Sequence, residues 1–106
     1  MIDEATINRA VNLLRQAAPD STIIVFGSCA RGQITEDSDL DVLVVEPTLC
    51  SRLEEMVRLR RVLRPLGIPA DVLVASKEAF DYWTDTPSTI YYEVAREGRV
   101  FHAAFP

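Results

Sequence analysis

Three aspartates stand at every second position just before the most apolar run in the chain. They are Asp37, Asp39 and Asp41, and the run is LDVLVV, residues 40–45. This run is too short for an ordinary helix and rich in valine, so it predicts a buried strand. Because side chains alternate along a strand, Asp39 and Asp41 should project from the same face at its entrance. Carboxylates crowded in this way repel one another unless a cation joins them, so the segment predicts a cation site.

Hydrophobic periodicity and turn residues predict the other elements. Apolar residues at three- and four-residue steps indicate helices, whereas short β-branched runs indicate strands. In chain order we expect a helix over 4–18, a strand over 22–26, a short helix over 28–31 and the strand over 40–45. A helix over 51–66 and a strand over 71–75 follow. The last elements are a short helix capped by Ser76 that runs through Trp83, a helix from Thr86 and Pro87 to about Glu97, and an edge strand over 99–103. The buried face of the helix over 51–66 should be formed by Leu53, Met56, Val57, Leu63 and Leu66.

This order of elements predicts a single domain, residues 1–106, of the α+β class with α/β-like character: a small mixed sheet flanked by helices. The connection between the first two strands is short, so they should run antiparallel. The long helix can return the third strand parallel to the second. One rim of the sheet should therefore collect five residues, namely Gly27, Ser28, Asp39, Asp41 and Asp71.

The chemistry of this rim points to phosphate. Carboxylates about 4 Å apart repel each other by about 4 kcal/mol per pair at an effective dielectric near 20. A hard divalent cation, Mg²⁺ or Mn²⁺, relieves that repulsion, keeps some of its waters and binds substrate phosphates. The backbone N–H groups that open the short helix at Ser28 form an anion site beside it.

Two related motifs are excluded, each by two residues that do not fit it. Gly27 and Gly32 have the glycine spacing of a P-loop, but Gln33 and Ile34 stand where its lysine and hydroxyl belong. The alternating aspartates imitate an EF-hand, yet Val42 replaces the required glycine and Thr48 the bidentate glutamate.

Composition narrows the function classes further. The net charge of −5 argues against a general nucleic-acid binder, so no stable nucleic-acid complex is expected. No apolar run approaches the length of a membrane span, and we expect a soluble, cytoplasmic protein. Cys29 and Cys50 should be reduced, partly buried thiols, because their spacing fits neither a zinc site nor a disulfide framework. His102 should be a surface histidine.

The helix over 51–66 carries a basic surface in an acidic protein. Five arginines contribute to it, at positions Arg52, Arg58, Arg60, Arg61 and Arg64. Two interpretations stay open: a solvated face paired with Glu54 and Glu55, or a docking face for a partner or RNA.

The arrangement of Gly27-Ser28, ten intervening residues, Asp39-x-Asp41 and a later strand-initial Asp71 resembles the nucleotidyltransferase superfamily related to DNA polymerase β. Within it, the chain is similar to the minimal nucleotidyltransferases, including the MNT antitoxins that pair with HEPN-domain toxins. The resemblance extends from GSCARG through SDLDVLV and PADVLV to AREGRVF, which is nearly the whole chain.

The resemblance implies a role for each residue of the rim. Asp39 and Asp41 would bind two Mg²⁺ ions that clamp the triphosphate of an NTP, with Mn²⁺ as an alternative metal. Gly27 and Ser28 would hold its β- and γ-phosphates. Asp71 would share the catalytic metal and help to deprotonate the attacking hydroxyl.

Neighbouring residues receive weaker assignments. Arg31 is either a phosphate contact or the solvent-facing end of the short helix. Glu36 and Asp37 are expected to lie in an exposed loop rather than to bind metal.

The function that the resemblance implies is that of an antitoxin enzyme. It would transfer AMP from ATP to a tyrosine of a HEPN ribonuclease toxin, release pyrophosphate and form a hetero-oligomer with that toxin. Two alternatives stay open: transfer to a small molecule or an RNA end, and neutralisation of the toxin by binding alone.

Overall fold

Four strands form one mixed sheet in the spatial order β3-β2-β1-β4. The structure is a computed structural model and describes residues 2–101. The strands are β1 (Thr22–Phe26), β2 (Leu40–Glu46), β3 (Ala70–Ser76) and β4 (Arg99–Phe101). The helices are α1 (Glu4–Ala17), α2 (Ser28–Arg31), α3 (Arg52–Val62), α4 (Lys77–Trp83) and α5 (Ile90–Glu97), and a 3₁₀ turn over Arg64–Leu66 follows α3. The predicted α+β class and order of elements are therefore confirmed.

Strand pairing brings the end of β1 to the beginnings of β2 and β3. β1 runs antiparallel to β2, with Phe26 opposite Asp41, and also antiparallel to β4. β2 runs parallel to β3, with Asp41 beside Asp71. Helix α3 is the crossover that makes this parallel pairing possible. The predicted topology is confirmed.

The sheet buries both of its faces. One face packs against α1 and α3, through residues such as Leu14, Leu59 and Val42. The other face packs against α4 and α5, where Leu43 meets Val94. Since side chains alternate along β2, Asp41 projects from the same face as Leu43, toward the side of α4 and α5. None of the helices in residues 2–101 is long and apolar enough to cross a membrane.

The predicted buried face of α3 is partly wrong. Leu63 is buried, but Leu53 and Val57 are 72% and 44% exposed, and Leu59, which the prediction omitted, is fully buried. Apolar residues occur on more than one side of this helix, so periodicity alone does not fix which side faces the sheet.

Two further predictions are corrected by the structure, and a third cannot be compared with it. Helix α5 is capped by Thr89 rather than Thr86, because the Thr89 hydroxyl accepts a hydrogen bond from the Tyr92 N–H at 3.2 Å. Cys29 is buried but Cys50 is exposed, and both thiols are free. β4 is described as far as Phe101, and His102 with the rest of the predicted edge strand lies outside the described residues.

A carboxyl pair lies at the end of β2 that is farther from the aspartates. Arg58 donates to both oxygens of Glu55, at 2.6 and 2.7 Å, which holds the pKa of Glu55 at about 2. Burial, together with the neighbouring Glu55, raises the pKa of Glu46 to about 7. The Glu46 Oε2 atom is buried and has no hydrogen-bond donor among the described residues. When Glu46 is protonated, it can donate a hydrogen bond to the Glu55 carboxylate, which gives the buried carboxyl group a hydrogen-bond partner.

Replacing Glu46 with glutamine should stabilise the protein at alkaline pH. The folded pKa of about 7 lies above the unfolded value of 4.5, so the stabilising proton is fully present below 4.5 and is lost as the pH rises through 7. Glutamine keeps a donor without ionising. We expect it to raise the free energy of unfolding by about 1–2 kcal/mol at about pH 8 and to change it little at about pH 5, after discounting for partial solvation.

Chemical denaturation at the two pH values measures this difference. Glu54→Gln, an exposed neighbour on α3, is the control and should have little effect at either pH. An equal gain from Glu46→Gln at both pH values would contradict the assignment.

Candidate functional site

The acidic rim, formed by Asp39, Asp41 and Asp71, lies where β2 and β3 begin. Asp41 is half-buried between Phe26 of β1 and Asp71 of β3. Asp39 lies just before β2 and, like Asp71, is exposed to solvent. Gly27 follows Phe26 directly. The residues that connectivity assigned to one edge of the sheet therefore do lie at that edge.

The three carboxylates act on one another electrostatically. Burial raises the pKa of Asp41, and the negative charges of Asp71 and Asp39 raise it further. The positive charge of Arg31 acts in the opposite direction. A cation between these groups would favour the ionised form of Asp41, so the all-oxygen donor set fits a hard divalent metal.

In this structure the three carboxylates of the rim are too far apart to coordinate one metal ion together. Among residues 2–101, no three His, Cys, Asp or Glu side chains are close enough to hold one metal ion together. Asp71 also contacts α3, because its Oδ1 atom accepts from the Arg60 guanidinium at 3.5 Å. This contact was not predicted. Arg60 is an exposed residue near the end of α3, and no sequence pattern indicates that its side chain reaches Asp71 at the start of β3.

Gly27 makes room for the Asp41 carboxylate. Its backbone has φ 73° and ψ −152°, a conformation that is essentially restricted to glycine. A Cβ atom at this position would lie 2.5 Å from Asp41 Oδ2. Glycine is therefore required at this position for two reasons. The backbone conformation of the turn disfavours any side chain, and the Asp41 carboxylate occupies the space in which a Cβ atom would lie.

Helix α2 presents unpaired backbone donors next to this carboxylate. The carbonyl of Gly27 accepts from the N–H groups of Ala30 and Arg31, at 3.1 and 3.2 Å. The N–H groups of Ser28 and Cys29 come too early in the helix to have an acceptor within it. They are available to an anion at the mouth of the turn.

Cys29 ties the turn to the acidic loop, which sequence reasoning missed. Its buried thiol donates to the carbonyl of Asp39 at 3.5 Å. Burial raises the pKa of this thiol, and the Asp41 carboxylate raises it further. Cys29 is therefore a neutral, positioning contact between α2 and the residue that precedes β2.

Arg31 lies within the electrostatic reach of Asp41 but makes its direct contacts elsewhere. Its Nε donates to Gln33 Oε1 at 3.2 Å, and its guanidinium lies 3.6 Å from the Glu97 carboxylate. The side chain is exposed, which agrees with the solvent-facing alternative for the end of α2. Glu36 and Asp37 are exposed, as expected.

Comparison with known proteins places this arrangement in a family. The family model for the nucleotidyltransferase domain matches residues 7–96. A protein of Methanocaldococcus jannaschii, named as a candidate protein adenylyltransferase, is 32% identical over 111 residues, which cover 96% of this chain and 100% of that protein.

Solved structures agree with the sequence comparison. A candidate minimal nucleotidyltransferase is 30% identical, with a TM-score of 0.62 and coverage of 91% of this chain and 92% of that one. A chain from a mutant of the MntA–HpeT toxin–antitoxin pair shares the fold, with a TM-score of 0.62, 21% identity and coverage of 99% of this chain and 76% of that one. The chain therefore belongs to the nucleotidyltransferase domain family, among the minimal nucleotidyltransferases.

Proposed function

We propose that this protein is a metal-dependent nucleotidyltransferase that transfers AMP from ATP to a tyrosine of a partner HEPN-domain toxin. The observation that carries the proposal is the position of Asp41, which lies beside Asp71 and over the bare Cα of Gly27. The name of the archaeal relative supports protein adenylylation. The toxin–antitoxin structure with the same fold supports a toxin as the acceptor.

Asp39 and Asp41 would hold Mg²⁺, or Mn²⁺, with Asp71 sharing the second of two ions. Bound there, the metal would neutralise the triphosphate and polarise its α-phosphorus. The mutual repulsion of the carboxylates supports this assignment, since a cation is the simplest partner that would relieve it.

The chain's own groups supply binding and proton transfer. The N–H groups of Ser28 and Cys29, with the Ser28 hydroxyl, would bind the β- and γ-phosphates, and Gly27 would let the triphosphate approach the backbone. Asp71 would accept the proton of the tyrosine hydroxyl. A bond then forms between the tyrosine oxygen and the α-phosphorus, the bond from that phosphorus to the bridging oxygen breaks, and pyrophosphate leaves.

The exposure of the rim supports an acceptor that comes from outside. Asp39 and Asp71 are open to solvent, which leaves room for a bulky acceptor. A cavity of about 320 Å³ is lined by Thr22, Val45 and Pro47, at the other end of the sheet, so it cannot hold an acceptor next to the acids.

A labelling experiment tests the proposal. The purified protein is incubated with labelled ATP, Mg²⁺ and the product of the neighbouring gene, and the labelled residue is identified by mass spectrometry. We expect label on a tyrosine of that partner with the wild type, and almost none with Asp39→Asn. Equal labelling by both proteins would contradict the assignment of the acids.

Two other outcomes would point to different functions. Turnover of ATP onto a small molecule or an RNA end without the partner would indicate a different acceptor. Protection of cells by Asp39→Asn as complete as protection by the wild type would indicate an antitoxin that acts by binding alone.

A further inference from the structure

The outer side of α3 carries an exposed stripe of apolar and basic side chains. The α3 stripe consists of Leu53, Val57, Arg60, Arg61 and Arg64. Helical spacing of three and four residues places these positions on one side of the helix and its following turn. Leu53 and Val57 are 72% and 44% exposed, whereas Leu59 is fully buried on the inner side. Neighbouring apolar residues left in solvent next to charges are typical of an interaction surface.

The arginines of α3 and of the turn that follows it differ in whether they contact the rest of the fold. Arg52 and Arg58 serve the fold, because Arg52 donates to the Val74 carbonyl at 2.9 Å and Arg58 binds Glu55. Arg61 and Arg64 have no ion-pair partner among residues 2–101. On a chain with a net charge of −5, their side of α3 is a local basic surface. The first interpretation of this helix, a solvated face whose arginines pair with neighbouring glutamates, therefore holds for only part of α3.

The stripe is continuous with the acidic rim. Arg60 belongs to the stripe and donates to Asp71 at 3.5 Å, so the basic end of the stripe touches the candidate catalytic edge. A shallow depression of about 250 Å³ is lined by Val57 and the three arginines of the stripe. At 1.5 Å per residue the stripe is about 16 Å long, which matches about three turns of another helix.

We propose that the α3 stripe is the docking surface for the acceptor protein and that it receives an amphipathic helix with an acidic face. This inference rests on the proposed function, since it names how the acceptor is held. Leu53 and Val57 would be buried by apolar residues of that helix, and Arg61 and Arg64 would pair with its carboxylates. A partner carboxylate that formed an ion pair with Arg60 would also free Asp71 from its contact with Arg60, so that Asp71 could take part in the reaction.

The chemistry of the stripe favours a protein over RNA. An RNA backbone gains little from exposed leucine and valine side chains, and the acidic rim beside Arg60 would repel a polyanion. A protein surface can satisfy both the apolar and the basic parts.

Charge reversal at Arg61 tests the proposal by direct binding. The affinity of the neighbouring gene product is measured for the wild type, Arg61→Glu, Leu53→Ser and Arg9→Glu. Arg9 is an exposed arginine on α1, so Arg9→Glu makes the same charge change away from the stripe. We expect affinity to fall by about tenfold or more for Arg61→Glu, several-fold for Leu53→Ser, and less than about twofold for Arg9→Glu. Binding of Mg²⁺–ATP by Arg61→Glu should be unchanged.

Separate readouts distinguish the two proposals. Loss of partner binding in Arg61→Glu supports docking even if no protein transfers label, which would overturn only the proposed function. Unchanged partner binding in Arg61→Glu, or no binding by the wild type, overturns docking. It is also overturned if Arg61→Glu instead abolishes self-association seen by sedimentation, or binding of a single-stranded RNA oligonucleotide.

Discussion

Replacing Asp41 with asparagine is expected to lower the rate of AMP transfer by on the order of 10³-fold without destabilising the protein. The rate falls because the amide cannot bind a divalent cation as a carboxylate does. Stability is kept because Asp41 is half-buried and repelled by Asp39 and Asp71, so the folded state loses an unfavourable charge. Transfer is measured with labelled ATP, and stability by chemical denaturation at neutral pH.

Asp37→Asn is the matched control for this variant. It makes the same chemical change on the same segment, but Asp37 is exposed and lies outside the rim. Its rate and its stability should both stay close to those of the wild type. A rate for Asp41→Asn within tenfold of the wild type, or an equal loss from Asp37→Asn, would contradict the role of Asp41.

Replacing Gly27 with alanine is expected to impair both stability and transfer. The backbone there strongly disfavours a side chain, and the new methyl group would lie 2.5 Å from Asp41 Oδ2. Backbone strain and overpacking together predict a loss of about 2–4 kcal/mol in the free energy of unfolding. Because the Asp41 carboxylate must move by about 1 Å to escape the clash, we expect transfer to fall on the order of 10²-fold beyond the effect of unfolding.

Gly32→Ala separates backbone strain from the clash. Gly32 also has a positive φ, of 71°, but a Cβ atom there meets nothing within 4 Å. This variant should lose about 1–2 kcal/mol of stability from strain and keep its transfer rate. If both variants lose activity equally at a temperature where both are folded, contact with Asp41 is not what makes Gly27 necessary.

The strands were the most predictable part of the fold. The predicted limits of β1, β2 and β3 agree with the structure to within one residue at each end. These strands are short, rich in valine and isoleucine, and bounded by glycine, proline or charged residues, so local signals and tertiary burial agree. Their pairing then followed from the lengths of the connections, which also gave the position of Asp71 beside Asp41.

The features that the sequence did not predict are those that depend on which side of a helix or strand faces its neighbours. Helix α3 offers several apolar stripes, and only contact with the sheet selects the one containing Leu59 and leaves Leu53 in solvent. The contacts of Arg60 with Asp71 and of Cys29 with the Asp39 carbonyl join residues that are 11 and 10 positions apart, respectively, through loop and helix geometry that no motif encodes. The raised pKa of Glu46 has the same origin, because it requires Glu55 of the next helix to lie beside it.

The contrast between the two cysteines gives the molecule a natural attachment point. Cys29 is shielded beneath the glycine turn, whereas Cys50 is accessible in the connection between β2 and α3. A maleimide fluorophore should therefore react selectively at Cys50, at the opposite end of the sheet from the acidic rim. Because Cys50 lies three residues before Leu53, in the segment that leads into α3, the emission of the attached fluorophore should report the arrival of a partner on α3 in real time.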